Sequence, residues 1–263
     1  MKVRNRLEDA QTIVVKVGTK VLLQSDGSAA QDAFARLAKS VAGLQRNGRR
    51  VLLVSSGAVG LGAKSLRVSP NLVSVCAAAG QSALTTLYHQ AFAQLGVSIA
   101  QVLVTDDDFK TMERQQKLLK TLEHLTELGV IPIVNENDVV THSHDAHARI
   151  FSDNDMLASL LAKAVNADLL VILTDVDGVY DTHPDRAEAS LIPEIKGAHV
   201  VECDDRVSEF GRGGIQAKLK AAMHAAHLHR VVAVIANGRT PDVLEKIISG
   251  HQIGTLIAPV EAK

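Results

Sequence analysis

Three segments of this chain place polar or glycine-bearing residues at the end of an apolar run. Lys16-Val17-Gly18-Thr19 follows Ile13-Val14-Val15, Ser55-Ser56-Gly57-Ala58 follows Val51-Leu52-Leu53-Val54, and Asn135-Glu136-Asn137-Asp138 follows Val130-Ile131-Pro132-Ile133-Val134. An ammonium group inside an apolar strand is costly unless it is paired. Lys16 therefore calls for an anionic partner, from the protein or from a ligand, or else for a route to solvent at the sheet edge. Further on, Gly211-Arg212-Gly213-Gly214-Ile215-Gln216-Ala217-Lys218 leads into the amphipathic stretch Leu219 to His227. Glycines let backbone N–H groups approach phosphate oxygens, a helix N-terminus adds unsatisfied donors, and a lysine on the first turn reaches the same anion. That is the chemistry of a bound phosphate, although glycines before a helix also make an ordinary turn. Leu219 after Lys218 excludes a Walker A loop, which needs Ser or Thr there.

Asn135 to Asp138 and Ser152-Asp153-Asn154-Asp155 concentrate amides and carboxylates. Asp153 fits as the N-cap of the apolar helix that follows. Capping accounts for one such residue, whereas two dense clusters able to accept from an ammonium and donate to a carboxylate suit a zwitterionic amino acid. Thr174-Asp175-Val176-Asp177-Gly178 ends another apolar run, Leu169 to Leu173. Its hydroxyl and carboxylates could meet a ribose or an adenine edge, or form a plain Asp-Gly turn. The histidines of Thr141-His142-Ser143-His144-Asp145-Ala146-His147 lack a helix or strand that would converge their rings, so the segment reads as a solvated loop, not a metal site. Asp106-Asp107-Asp108 reads as a turn and helix cap before Phe109.

The elements that must position these groups alternate. Strands are predicted over 12–17, 50–55, 99–104, 130–135, 168–174 and 230–236, and helices over 31–47, 72–94, 111–128, 154–165, 214–227 and 241–249. Strands joined by helical crossovers imply a three-layer α/β/α sandwich with a largely parallel central sheet. Ligands of such sheets bind beyond the carboxyl ends of the strands, so the polar caps should share one crevice. The stretches 139–152 and 181–212 carry no clear period and are expected to form hairpins or lids.

With 263 residues, 46% of them apolar, the chain is expected to form one domain over 1–263. A net charge of -1 and 3% aromatics give no footprint for nucleic acid. Cys76 and Cys203 stand far apart without metal-ligand spacing, as free thiols of a reducing compartment do. Met1 to Gln11 lacks an apolar core, and no apolar run reaches the roughly 18 residues of a membrane span. A cytoplasmic protein is expected.

Seven segments in order resemble the amino acid kinase family, in its gamma-glutamyl kinase branch: Val15 to Thr19, Ser55 to Gly60, Ala78 to Ser82, Pro132 to Asp138, Ser152 to Asp155, Leu173 to Asp175 and the glycine loop. The resemblance spans about Thr12 to Ile257 and implies phosphorylation of the side-chain carboxylate of L-glutamate by ATP with Mg²⁺, the first step of proline synthesis. It implies Lys16, Lys218 and Asp155 as catalytic residues, and Ser56, Gly57, Asn135, Asp138 and Asn154 as the substrate site. For ATP it implies Lys16, Gly18, Thr19, Thr174, Asp175 and the run Arg212, Gly213, Gly214, Ile215, Gln216, Ala217 and Lys218. Gly18, Thr19 and Gly57 would bring backbone donors to the phosphates. The resemblance also implies a homo-oligomer, dimer or tetramer, and feedback inhibition by proline.

Arg212, Ile215 and Ala217 depart from the family's commoner Gly-Thr-Gly-Gly-Met loop, and the arginine form resembles the kinase half of bifunctional pyrroline-carboxylate synthases. Ending at Lys263, the chain is expected to lack a reductase half and a PUA domain and to hand its product to a separate glutamyl phosphate reductase. Acetylglutamate, aspartate, carbamate and UMP kinases share the fold, but the full Asn-Glu-Asn-Asp motif argues against them. A non-catalytic regulator binding glutamate or proline is the other reading, and retention of Lys16, Asp155 and Lys218 weighs against it.

Overall fold

The computed structural model describes residues 3–141, 150–151, 153–182, 186, 188–196 and 214–259. Six apolar runs form the strands expected of them, within two residues at each end: β1 (Thr12–Val17), β2 (Arg50–Ser55), β3 (Ile99–Val104), β4 (Ile131–Glu136), β5 (Leu169–Thr174) and β7 (Val232–Asn237). Two further strands, β6 (Glu194–Ile195) and β8 (Thr255–Ile257), are too short to show a period in sequence. Together they make one sheet of order β3-β4-β2-β1-β5-β7-β8-β6, parallel throughout except where β8 pairs antiparallel with β7.

The helices in chain order are α1 (Thr19–Leu22), α2 (Gln31–Arg46), α3 (Ala58–Leu66), α4 (Val73–Ala93), α5 (Asp107–Lys110), α6 (Met112–Glu127), α7 (Asn154–Ala164), α8 (Ile215–Met223) and α9 (Val243–Ile248). Three of these, α1, α3 and α5, are absent from the sequence reading. So is the 3-10 turn Val3–Asp9, which buries Leu7. The helix expected over 214–227 is α-helical only to Met223 and then passes into a π turn, His224–Leu228. Gly60 and Gly62 make α3 read as a loop, yet its packing requires small residues. A Cβ on Gly62 would lie 1.8 Å from the Cys76 carbonyl oxygen, and one on Gly80 of α4 would lie 1.8 Å from that of Ala58. Glycine at these two positions lets α3 and α4 touch backbone to backbone.

Side chains of a strand alternate between faces. Ile13, Val15, Val17, Val51, Leu53, Ile131, Ile133, Val171 and Leu173 pack against Phe34 and Leu37 of α2, Leu84 and Tyr88 of α4, and Leu244 and Ile247 of α9. Val14, Leu52, Val54, Val134, Leu170 and Ile172 pack on the other face against Leu157 and Leu161 of α7 and Leu219 and Ala222 of α8. The result is the expected three-layer sandwich. From β1 the chain builds outward through β2 and then returns to add β5 on the opposite side of β1, so the strand order switches between β1 and β5. Open α/β sheets bind their ligands at such a point. Among the described residues no helix is long and apolar enough to cross a membrane.

Candidate active site

At the carboxyl end of β1, Lys16 shares the face of Val14 and points towards α7 and α8. Its Nζ lies 2.8 Å from Oδ1 of Asp155. Lys218, on the first turn of α8, brings its Nζ to 3.3 Å from Oδ2 of the same carboxylate. The three side chains are 5%, 10% and 2% exposed for Lys16, Lys218 and Asp155, so the group is dry. Asp155 owes its position to α7, whose N-cap is Asp153 as expected: Oδ1 of Asp153 accepts from the backbone N–H of Asp155 and of Met156, each at 2.9 Å. A carboxylate on the first turn also faces the positive end of the helix. Burial by itself would raise the carboxyl of Asp155, but Lys16 and Lys218 outweigh it and hold the group below the ordinary carboxylate range. Burial pushes the ammonium of Lys218 below the ordinary lysine range, with Asp155 opposing and Lys16 adding to the shift. Two ammonium groups thus converge on one buried carboxylate at the strand ends, with Asp153 also acting on Lys218.

The residues around this triad divide into those with free geometry and those already engaged. The backbone N–H of Gly18 donates to the Leu173 carbonyl at 2.9 Å, and that of Ser56 to Val17 at 3.1 Å. Gly18 therefore contributes space, not the phosphate donor expected of it: a Cβ there would sit 3.2 Å from the Leu173 oxygen and 3.9 Å from Lys16 Nζ. Thr19 opens α1, and Gly57, at φ 113°, is the left-handed residue from which α3 starts. Thr174 is buried at the end of β5 and donates to Asp175 Oδ1 at 3.2 Å. Asp175 in turn pairs with Lys20 at 3.2 Å, with side chains 30% and 47% exposed. Gly214 is the extended N-cap of α8, and Ile215, Gln216 and Ala217 complete its first turn before Lys218. Arg212 and Gly213 lie outside the described residues, as do Ser152 and Cys203.

Beside the triad lies a cluster of neutral amides. Asn135, 1% exposed at the end of β4, accepts through Oδ1 from the backbone N–H of Glu136 at 2.9 Å and from Asn154 Nδ2 at 2.9 Å. Asn154 Nδ2 also leans towards Ser56 Oγ at 3.4 Å, joining β2, β4 and α7. Asp138 is half-buried in the turn after β4. The sequence reading missed two residues of α4 behind this cluster. Gln81 Oε1 accepts from Asn135 Nδ2 at 3.0 Å, and the Tyr88 hydroxyl meets Ser55 Oγ at 2.9 Å. Burial raises the Tyr88 phenol well above its ordinary value, so it stays neutral. Gln81 lies in the Ala78 to Ser82 segment that carries the resemblance but received no role there, and the signal for both was that Gln81, Leu84 and Tyr88 fall on one helical face.

Asp106 stands at the N-cap of α5, in line with the turn and cap reading of 106–108, but its side chain makes no cap hydrogen bond. Buried to 8% exposure, it accepts from the backbone N–H of Phe151 at 3.1 Å, while Thr111 caps α6. Tyr180 bridges Leu191 in antiparallel fashion, so part of the 181–212 stretch is hairpin-like as expected. Among the described residues no three His, Cys, Asp or Glu gather into a metal-binding group. The histidines of 142–147 lie outside those residues.

Residues 11–237 match the amino acid kinase family. The chain is 38% identical over 270 residues to the glutamate 5-kinase of Ligilactobacillus salivarius (strain UCC118), covering 97% of this chain and 98% of that protein. It is 40% identical over 271 residues to the delta-1-pyrroline-5-carboxylate synthase of Solanum lycopersicum, covering 95% of this chain but only 38% of that longer protein. In fold it is similar to the carbamate kinase from Giardia lamblia bound to AMP-PNP, with a TM-score of 0.66, 18% identity and coverage of 96% and 99% of the two chains. The paired lysines and their buried carboxylate thus stand in a fold and a sequence shared with phosphotransferases along nearly the whole length, and the chain belongs to the amino acid kinase family, in its glutamate 5-kinase branch.

Proposed function

We propose that this protein transfers the γ-phosphoryl group of ATP to the side-chain carboxylate of L-glutamate, giving L-glutamyl 5-phosphate and ADP, the entry to proline biosynthesis. The observation that carries the reading is the convergence of Lys16 and Lys218, from β1 and α8, on the two oxygens of Asp155. A carboxylate is already nucleophilic at neutral pH, so no general base is needed. The protein's work is alignment and charge stabilisation of the transferring group. The two ammonium groups, brought in from β1 and α8, are proposed to hold the transferring phosphoryl from two sides. Two unit charges about 4 Å apart interact by roughly 4 kcal/mol at an effective dielectric near 20. Asp155 is an orienting residue, since both of its oxygens are taken by the lysines.

Asn135, Asn154, Ser56 and Asp138 are proposed to receive the amino acid: the amides donate to its carboxylate and Asp138 accepts from its ammonium. Thr174, Asp175 and the start of α8, with Arg212 and Gly213 before it, are proposed to face the nucleotide. Mg²⁺ fits best as the partner of ATP phosphates, because Asp155 is occupied by two lysines and Asp175 by Lys20. When bound it supplies Lewis-acid neutralisation of phosphate charge. Proline, sharing the α-amino acid frame, is proposed to compete for the amide cluster.

The test is to incubate the protein with ATP, Mg²⁺, hydroxylamine and one acid at a time, following ADP and the trapped acyl hydroxamate. Hydroxamate formed with glutamate, and not with aspartate or acetylglutamate, is the expected outcome. ADP release without hydroxamate, or no turnover with any acid, would overturn the reading.

A further inference from the structure

The amide cluster has a support that the reaction does not require but that its geometry does. Asn135 is buried, and an asparagine side chain offers two N–H hydrogens and an oxygen with two lone pairs. Here the oxygen is saturated by Glu136 N–H and Asn154 Nδ2, at 2.9 Å each, and one Nδ2 hydrogen goes to Gln81 Oε1 at 3.0 Å. Among the described residues the second Nδ2 hydrogen has no protein partner. The N–H of Glu136 decides which way the amide faces, and Gln81 holds it there from the opposite end. Asn154 depends on the result, because one of its Nδ2 hydrogens is given to the oxygen of Asn135.

We infer that Gln81 is a positioning residue of the amino acid subsite: by accepting from Asn135 it keeps the free Nδ2 hydrogen of Asn135 turned as a donor to a ligand carboxylate, and it steadies the oxygen of Asn135 on which Asn154 hangs. The inference rests on the reading of Asn135 and Asn154 as substrate ligands. Removing the acceptor strands a buried N–H and leaves the amide held at its oxygen end alone, by Glu136 and Asn154. Without its second tether the Nδ2 group tilts about the held oxygen, and its remaining hydrogen no longer points steadily at the carboxylate. The reach of Gln81 is itself built into the packing. Gly80, its neighbour, sits where a Cβ would overlap the Ala58 carbonyl oxygen at 1.8 Å, so α4 lies backbone to backbone against the start of α3, three residues beyond the end of β2. Leu84 and Tyr88 anchor the same face in the core.

Gln81→Met keeps length and helix propensity and deletes the acceptor. The expected result is a KM for glutamate raised about five- to tenfold, with the KM for ATP within about twofold and kcat little changed. A general loss of structure would move all three and the thermal midpoint together. The sharper reading is a double-mutant cycle with Asn135→Ala. If Gln81 acts through Asn135, the double variant's glutamate KM stays within about twofold of that of Asn135→Ala alone. Gln81→Ala carries the same cycle should the methionine variant fold poorly. An unchanged glutamate KM in the Gln81 variant, or additive effects in the cycle, overturns the inference alone. A wild-type protein that makes no hydroxamate from glutamate overturns the substrate reading and this inference with it.

Discussion

The two faces of the sheet end in different chemistry. On the side of α7 and α8, Lys16, Asp155 and Lys218 bring full charges together out of water, whereas on the side of α4, Ser55, Asn135, Gln81 and Tyr88 meet as neutral donors and acceptors. Charge repels or attracts over distance and stabilises a group whose charge shifts during reaction; neutral amides discriminate shape and donor pattern in a ground state. In the proposed reaction this difference would let one crevice separate transfer from recognition. Parity along the strands does the sorting: Lys16 is in register with Val14, and Asn135 with Ile133.

Breaking the charged side should have the largest effects. Asp155→Asn leaves two buried ammonium groups facing each other without their anion, and thermal or denaturant unfolding should show a loss of about 3–5 kcal/mol, together with lost turnover. Lys16→Met and Lys218→Met each remove one donor from the transferring group and should lower kcat about 10²- to 10³-fold with little change in the glutamate KM. At the proposed amino acid subsite the pattern should reverse. Asp138→Ala is expected to raise the glutamate KM about tenfold or more while kcat changes less. Steady-state kinetics with both substrates varied would expose any exchange of these two signatures.

The pH dependence sharpens the same contrast. Lys218 has its ammonium pushed below the ordinary lysine value, so it loses its proton as pH rises, before the surface lysines do. The kcat profile should then carry an alkaline limb below about pH 10.4, and Lys218→Arg should remove that limb. Asp155 is held below the ordinary carboxylate range, so its contribution to stability is complete above about pH 3.9 and is lost as pH falls through its lower folded value. The smallest effect belongs to the half-exposed pair Lys20–Asp175, where Lys20→Ala should change stability by no more than about 1 kcal/mol. A larger loss on unfolding would mean that this pair holds β5 and α1 together more firmly than its exposure allows.

Much of this was legible in the residues. The six long strands show as continuous apolar runs because both faces of the sheet are covered, and Asp153 reads as a cap because a short acceptor before an apolar helix has few other uses. The short strands β6 and β8 fell below the length at which a period can be seen. Helix α3 was hidden by its own glycines, whose purpose appears only when α4 is laid against it. Gly18 was read as a donor, since nothing in the sequence tells that its N–H would be met by Leu173 from a strand more than a hundred residues away.

What the sequence determined by itself was the inventory and its local setting: a lysine in an apolar strand, a glycine-led lysine at the start of a helix, and amide clusters at strand and helix ends. Local pattern carries that information because strand parity and helix capping act within a few residues. Only the tertiary structure decided the partners. That Lys16 and Lys218 each take one oxygen of Asp155, that Gln81 reaches Asn135, and that Asp106 ties down Phe151 all depend on which strands lie side by side and how closely two helices approach. Those are long-range properties of packing, set by the whole core together and visible in no single segment.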